Sequence, residues 1–206
     1  MTLVRVGARL GPMGHKEDLL DGAKKCLMDK GFVRTTARDI VNASGANLAS
    51  IGYHYGSKDA LLMQAFLALM EEWGDSVMPS AGAAEGKGGS LERFRSLWES
   101  FLSTEEATRP LWRANLEVAM QDDRLPELRA LLVSSQEEGR RGLVATFTGV
   151  PEEDVTEEDV VTLGAFYQAL LGGVMIQRMF APEAAVTAEQ LTQGLRRAAE
   201  LAAERG

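Results

Sequence analysis

The segment 45–61, GANLASIGYHYGSKDAL, joins small side chains to a group of hydrogen-bond donors. Tyr53, His54 and Lys58 can each donate a hydrogen bond to a phosphate oxygen, and Lys58 adds a positive charge. The small residues that precede them allow a backbone to come close to another surface. The segment therefore predicts a surface that meets a phosphate backbone.

The charge distribution agrees with this prediction, although the net charge of −8 by itself argues against a nucleic-acid-binding protein. Residues 1–60 contain nine Lys/Arg and six Asp/Glu, whereas the remainder contains 13 and 24. The first part is therefore mildly basic and the rest is strongly acidic. Such asymmetry favours a small anion-binding region attached to an acidic body.

The elements around the segment predict a helix-turn-helix. Apolar residues recur at helical spacing over 15–30, and Gly31 can end that helix in the left-handed conformation. A capping box, with Thr and Asp at its ends, opens a short helix over 36–43. Asn47 is a good N-cap for the next short helix, 48–54. Two short helices joined by a glycine-containing turn are typical of a helix-turn-helix.

The second helix of this motif enters the major groove of DNA, and small or polar residues at its start permit close approach. Phosphate contacts position the protein, and base contacts specify the sequence. Arg38, in the preceding helix, can reach a phosphate or a guanine. We expect phosphate contacts from Tyr53, His54 and Lys58, and base-edge positions for Leu48, Ala49, Ser50 and Gly52. Asn47, at the start of the helix, is a further DNA-binding residue.

Several motifs between residues 15 and 62 follow one another in order: Gly22-Ala23, Gly31-Phe32, Thr36-x-Arg38-Asp39-Ile40, Ala43-Ser44-Gly45-Ala46-Asn47 and Tyr53-His54-Tyr55-x-Ser57-Lys58-x-x-Leu61. This order resembles the DNA-binding domain of TetR-family (tetracycline-repressor-like) bacterial transcription regulators. The family usually has Tyr, which commonly contacts DNA, where this chain has Gly52. Either Tyr53 replaces that contact or the contact is missing.

The rest of the chain predicts further helices and no strand, so the fold class is all-α. Ser57 caps a long helix to about Met78, and the glycine-rich residues 79–90 form a loop. We expect a flexible tail over 1–14, a helix-turn-helix domain over 15–60 and a helical effector-binding and dimerisation domain over 61–206. The body helices are expected at 91–103, 109–121, 126–147, 156–180 and from 187 onward.

Residues 160–177 carry no charge, and these 18 residues are long enough for a membrane helix. The segment also contains Thr162, two glutamines and three glycines, and it follows a run of acidic residues. A helix that is apolar all round can instead be buried between its own domain and a partner. We expect a homodimer through the last two helices, as the family resemblance also implies, and no membrane.

The body concentrates aromatic side chains, and the resemblance implies a small-molecule effector pocket there. We expect Trp98, Trp112, Asn115 and Phe166 to line it. Asn115 is a polar group on an apolar face, and it needs a hydrogen-bond partner if it is buried. Glu117 lies four residues after Arg113, which predicts a solvated helix pair.

The sequence presents no catalytic constellation, no metal-ligand cluster and no phosphate loop, so we expect neither an enzyme nor a cofactor. One cysteine and the absence of a signal-peptide pattern favour the cytoplasm. The expected function is a dimeric regulator, most simply a repressor, that an apolar or aromatic effector releases from a near-palindromic double-stranded DNA operator. The alternative is a helical protein-interaction adaptor that does not bind DNA.

Overall fold

The computed structural model describes residues 12–82, 90–120 and 126–204. These residues form nine α-helices and no strand, which confirms the all-α prediction. The helices are α1 (Pro12–Lys30), α2 (Ala37–Ser44), α3 (Leu48–Tyr55), α4 (Lys58–Gly82), α5 (Leu91–Ser103), α6 (Glu105–Ala119), α7 (Pro126–Thr148), α8 (Glu157–Phe180) and α9 (Ala188–Ala203). Within α8 the segment Val160–Gly164 is π-helical.

The chain divides into two units, Met1–Leu69 with Arg113–Leu128, and Met70–Trp112 with Arg129–Gly206. The boundaries therefore fall inside α4 and inside α6.

The turn between α1 and α2 is fixed by local hydrogen bonds. Gly31 has φ +86°, and its N–H donates to the Leu27 carbonyl at 2.8 Å, which ends α1. The buried hydroxyl of Thr35 donates to the Gly31 carbonyl at 2.7 Å. Thr36 and Asp39 then form the predicted capping box, since each side chain accepts from the other residue's backbone N–H.

The core of the first unit lies between α1, α2, α3 and the start of α4. Leu19, Leu27, Ile40 and Leu61 are fully buried there. A Cβ added to Gly22 would lie 2.8 Å from the Ser44 Cβ, so this glycine allows α1 and α2 to come close.

The core of the second unit is aromatic, and it is built from α4, α5, α6, α7 and α8. Helices α7 and α8 approach closely at Gly164, where an added Cβ would lie 2.7 Å from the Arg140 Cβ. Gly164 is therefore buried against α7 of its own chain. An added Cβ at Gly172 or Gly173 would meet nothing within 4 Å.

Three predicted boundaries differ from the structure. Helix α1 begins at Pro12, inside the predicted tail, and residues 1–11 of that tail lie outside the described residues. Helix α4 extends to Gly82, into the predicted loop, of which residues 83–89 are also outside them. Helix α6 begins at Glu105 rather than 109 and continues through Pro110. A proline in a helix removes one hydrogen bond, and here that loss does not break the helix.

We expect Asp39 to give the chain part of its resistance to acid. The Lys30 ammonium, which donates to Asp39 Oδ1 at 2.5 Å, and the two Thr36 donors lower the pKa of Asp39 below its ordinary value of 3.8. The stabilisation is present above the unfolded-state pKa and is lost as pH falls towards the lowered folded-state pKa. The difference in unfolding free energy between the wild type and Asp39→Asn should therefore shrink from about pH 5 to about pH 2.

Chemical denaturation at several pH values measures this difference. Asp29→Asn, at an exposed position on α1, is the matched control and should show a smaller dependence on pH. A constant difference for Asp39→Asn over that range would contradict the prediction.

Candidate nucleic-acid interface

Helix α3 is held on the first unit by one face. Ile51 is buried, and the Tyr55 hydroxyl donates to the Lys16 carbonyl at 2.7 Å, which ties the end of α3 to α1. The Lys16 ammonium lies 6.0 Å from the centre of the Tyr55 ring, and burial raises the pKa of the Tyr55 phenol. Tyr55 is therefore an anchor of the helix, unlike its neighbours Tyr53 and His54.

The opposite face of α3 is open to solvent. Leu48 is 58% exposed and Tyr53 is 84% exposed, while Asn47, Ala49 and Gly52 are also exposed. Ser50 is half-buried. This outward face carries no acidic side chain, and it comprises the residues that the sequence predicts for DNA contact.

Gly52 lies in the middle of this face, and a Cβ added there would meet nothing within 4 Å. The glycine is therefore not required by packing inside the chain. Because Gly52 has no side chain, the backbone of α3 is uncovered at this point, between the exposed side chains of Leu48 and Tyr53.

Asn47 uses one of its polar atoms to start α3. Its Oδ1 accepts from the Ser50 N–H at 3.0 Å, as the sequence predicts for an N-cap. The side-chain amide NH₂ makes no hydrogen bond among the described residues, so it remains available as a donor. A base or phosphate contact from Asn47 would accordingly use that group.

The side-chain donors at the end of α3 and in the neighbouring helices differ in their exposure and in the contacts that they already make. The rings of Tyr53 and His54 meet edge to face with centroids 4.8 Å apart, and His54 is half-buried. Arg38 is exposed on α2. The Lys58 ammonium lies 2.7 Å from Asp59 Oδ1 and donates to the Thr35 carbonyl at 3.3 Å. A phosphate would have to compete with that carboxylate.

Glu117 forms the predicted helix pair with Arg113 and makes a second contact that the sequence does not predict. Its Oε2 accepts from the Val33 N–H at 3.0 Å. Its side chain is only 18% exposed, so the carboxylate is less solvated than a surface helix pair would be. Arg113 Nε lies 3.8 Å from the other carboxylate oxygen. A Cβ on Gly31 would lie 2.7 Å from both oxygens, so the glycine makes room for the carboxylate.

This contact joins α6 to the turn before α2 within the first unit. The two residues are separated by 84 positions in the chain, and no periodic pattern connects them. Gly31 is the only residue in the sequence that could indicate this contact. Its presence is already explained by the end of α1, so it does not point to Glu117. The carboxylate thus holds the turn that precedes the helix-turn-helix.

The residues predicted for the effector pocket are placed differently from one another. Trp98 and Trp112 are buried, Phe166 is 45% exposed on α8, and Asn115 is half-buried in the first unit. Within the second unit a connected group of rings, here called the aromatic cluster, includes Trp73, Phe94, Trp98, Phe101, Trp112, Phe147 and Tyr167.

Trp98 and Trp112 are brought together through this cluster rather than by direct contact. Trp73 links them, because its ring lies 5.2 Å from Trp112 and 5.7 Å from Phe101, and Phe101 lies 5.8 Å from Trp98. Phe166 joins the cluster at its edge, 5.5 Å from Tyr167.

Helix α8 has an apolar face that the single chain leaves open. Its exposed positions include Phe166, Ala169, Ile176 and Phe180, which recur with Gly173 at steps of three and four residues. Among the described residues α8 is the one helix long and apolar enough to cross a membrane, and 28% of its apolar window is buried. A membrane or a protein partner would cover this face.

The described residues contain no group of three or more His, Cys, Asp or Glu side chains placed to hold a metal ion. Cys26 is buried in the core of the first unit, and burial raises the pKa of its thiol.

Comparison with known proteins adds to this geometry. Residues 19–65 match the model of a family described as bacterial regulatory proteins, tetR family, a description that agrees with the expectation of a non-enzyme. A repressor of Corynebacterium efficiens, HTH-type transcriptional repressor AcnR, is 29% identical over 120 residues, which cover 58% of this chain and 56% of the relative. The chain therefore matches only a little over half the length of that curated relative.

Two solved structures have the same fold. A transcriptional regulator of Pseudomonas aeruginosa PAO1 superimposes with a TM-score of 0.69 at 24% identity, covering 96% of this chain and 95% of the other. The multidrug binding protein EbrR, solved with imidazole, gives 0.64 at 21% identity, covering 95% and 96%. At these identities the two structures establish the fold alone.

Replacing Gly52 with alanine tests what the glycine contributes. The position is helical and open, so Gly52→Ala should raise the unfolding free energy by about 0.5–1 kcal/mol. If Gly52 serves close approach to DNA, the same methyl group should weaken binding to a duplex selected by this chain from a random library.

Denaturation and fluorescence anisotropy measure the two effects separately. Gly45→Ala is the control, because φ +70° at that position makes any side chain destabilising. A more stable Gly52→Ala chain with unchanged DNA affinity would show that the groove does not need the glycine.

Proposed function

We propose that this chain, a member of the TetR family of bacterial regulatory proteins, binds double-stranded DNA through α3 and represses transcription. The observation that carries the proposal is the two-faced nature of α3. Ile51 and Tyr55 attach one face to the first unit, and the other face presents small and polar side chains to solvent. A helix presented in this way can enter a major groove.

The division of roles along α3 follows from exposure. Exposed Leu48 and Ala49, with half-buried Ser50, lie in the first turn, where the backbone comes nearest to base edges. Tyr53, His54 and Lys58 follow at its far end, where donors reach the sugar-phosphate backbone. Residues 61–206, with 13 Lys/Arg against 24 Asp/Glu, would repel DNA and so favour approach by the mildly basic residues 1–60.

The proposed assembly is a homodimer through α8 and α9. The exposed stripe on α8 is an apolar surface that a partner would remove from water. A groove of about 170 Å³ beside it is lined by Ala169, Leu170, Gly173, Val174, Gln177, Val186 and Leu191. Side chains of a second copy can fill that groove. A symmetric dimer carries two copies of α3, so the operator should be near-palindromic.

The proposed regulation is release by a small apolar or aromatic effector bound in the second unit. The aromatic cluster supplies the apolar surface that such a site needs. The effector must bind one conformation more tightly than another to change DNA affinity. That a multidrug binding protein of similar fold was solved with imidazole supports a small-molecule role for this architecture. Binding to DNA and a buried thiol together favour the cytoplasm.

Two substitutions separate phosphate contact from base readout. Lys58→Ala should weaken binding to all DNA sequences and lower the slope of log affinity against log salt by about 1, because one phosphate contact is lost. Ser50→Ala should instead change the base preference at one position in each half-site.

Anisotropy titrations from low to high salt, and selection from a random library, measure these outcomes. Arg95→Ala, at a 41% exposed cation on α5 outside the proposed interfaces, is the control for loss of charge alone. An unchanged slope would remove Lys58 from the phosphate contacts. Affinity of the wild type that does not fall with salt would favour the protein-interaction adaptor.

Ile176→Glu should convert the dimer to monomers, because it places a charge within the exposed apolar stripe of α8. Sedimentation equilibrium measures the mass. Val133→Glu, at a 50% exposed valine on α7, is the matched control and should leave the dimer intact. A monomeric wild type would contradict the dimer, and a wild type that enters lipid vesicles would favour a membrane role for α8.

A further inference from the structure

All three tryptophans of the chain belong to the aromatic cluster. Trp73 and Trp112 meet edge to face with an interplanar angle of 85°, and Trp98 lies one ring further on, beyond Phe101. Their side chains come from α4, α5 and α6. The cluster therefore collects every indole of the protein in one place within the second unit.

Each of these indoles carries a buried hydrogen-bond donor that finds no partner within the part of the chain that the structure describes. Trp73 is 9% exposed, Trp112 is 7% exposed and Trp98 is completely buried. A buried tryptophan normally directs its N–H to an acceptor, because leaving the donor unpaired costs free energy. Three donors of one cluster share this condition among the described residues, so an acceptor brought by a ligand would find partners there.

The chemistry around the donors limits what that acceptor can be. The rings of the cluster are neutral and contribute no carboxylate, so a cation would meet the positive edges of the indoles without a counter-charge. The buried cation on α5, Arg93, is already committed, since its guanidinium donates to the Thr146 carbonyl at 3.0 and 2.8 Å. An anionic ligand would therefore find this cation already paired.

We propose that the aromatic cluster binds a flat, neutral molecule with a carbonyl oxygen, which accepts hydrogen bonds from the indole N–H groups. The proposal rests on the effector role inferred above and names the chemical class of that effector. Apolar rings of the ligand pack against rings of the cluster, and the carbonyl satisfies donors that are otherwise unpaired. Its competitor is an internal arrangement in which each N–H points at the face of a neighbouring ring.

Indole N–H signals test the proposal directly, because uniformly ¹⁵N-labelled full-length protein gives three such cross-peaks. Trp73→Phe, Trp98→Phe and Trp112→Phe assign them. The probe is 1-indanone, and indane, which has the same rings without the carbonyl, is its matched control. Trimethylphenylammonium represents the aromatic cations.

We expect 1-indanone to move at least one indole proton downfield in a saturable manner and to bind about fivefold to tenfold more tightly than indane, as one added hydrogen bond allows. Indane is the more apolar of the two, so simple partition into an apolar core would give the opposite order. Equal binding without an indole shift, tighter binding of the ammonium compound, or no binding of either ring compound would each overturn the proposal.

The tryptophan variants provide the second measurement. At least one of them should lose the preference for 1-indanone while binding indane within about twofold of the wild type, because only the donor has been removed. Each variant is first checked for cooperative unfolding, and the three positions are independent, so failure of one to fold leaves two. A preference that survives in every folded variant would overturn the proposal.

The DNA-binding proposal is tested separately, in the same samples. If 1-indanone binds with the expected preference and DNA affinity does not change, the site is correct and the effector role is wrong. If neither ring compound binds and the salt-dependent DNA affinity is normal, this site is wrong and the DNA-binding function stands.

Discussion

The hydrogen bond from the Tyr55 hydroxyl to the Lys16 carbonyl, together with the burial of Ile51, decides which face of α3 is free. Two residues that follow each other in a tyrosine-histidine-tyrosine run thereby acquire opposite roles, since Tyr53 is exposed and Tyr55 is an anchor. A helix of eight residues has little stability of its own, and it keeps a fixed orientation only through such packing. The orientation of the outward face of α3 therefore depends on contacts made on the other side of the helix.

The α1–α2 turn shows the same dependence on contacts that the local sequence does not supply. Gly31 ends α1 with a positive φ, and it also leaves room for the Glu117 carboxylate, which accepts from the Val33 N–H. One glycine thus meets two separate constraints. The carboxylate comes from α6, so part of that helix belongs to the same unit as the helix-turn-helix.

The second unit is organised by a different balance, between apolar packing and unpaired polar groups. Its core gains from burying large rings, and the stacked pair of Phe147 and Tyr167, 4.2 Å apart, is one example. Among the described residues the same packing leaves three indole N–H groups without partners. A core optimised only for stability would avoid that cost, whereas a core that also receives a ligand has a use for it.

The sequence alone was sufficient for features that depend on residues close together in the chain. The all-α fold, the caps at Thr36 and Asn47 and the position of the helix-turn-helix were all predictable, because helical periodicity and capping are local. Helix α6 was placed too late, since a proline normally marks a helix start and here lies within one.

Only the tertiary structure decided the relations between distant residues. It turned Tyr55 inward, placed Glu117 on the α1–α2 turn, directed Gly164 to α7 and joined Trp73 to Trp98 through Phe101. No period in the sequence encodes these contacts, because they depend on how helices cross and on which side chains fill the space between them. The chain thus specified its elements locally, and packing between the elements assigned the individual side chains their roles.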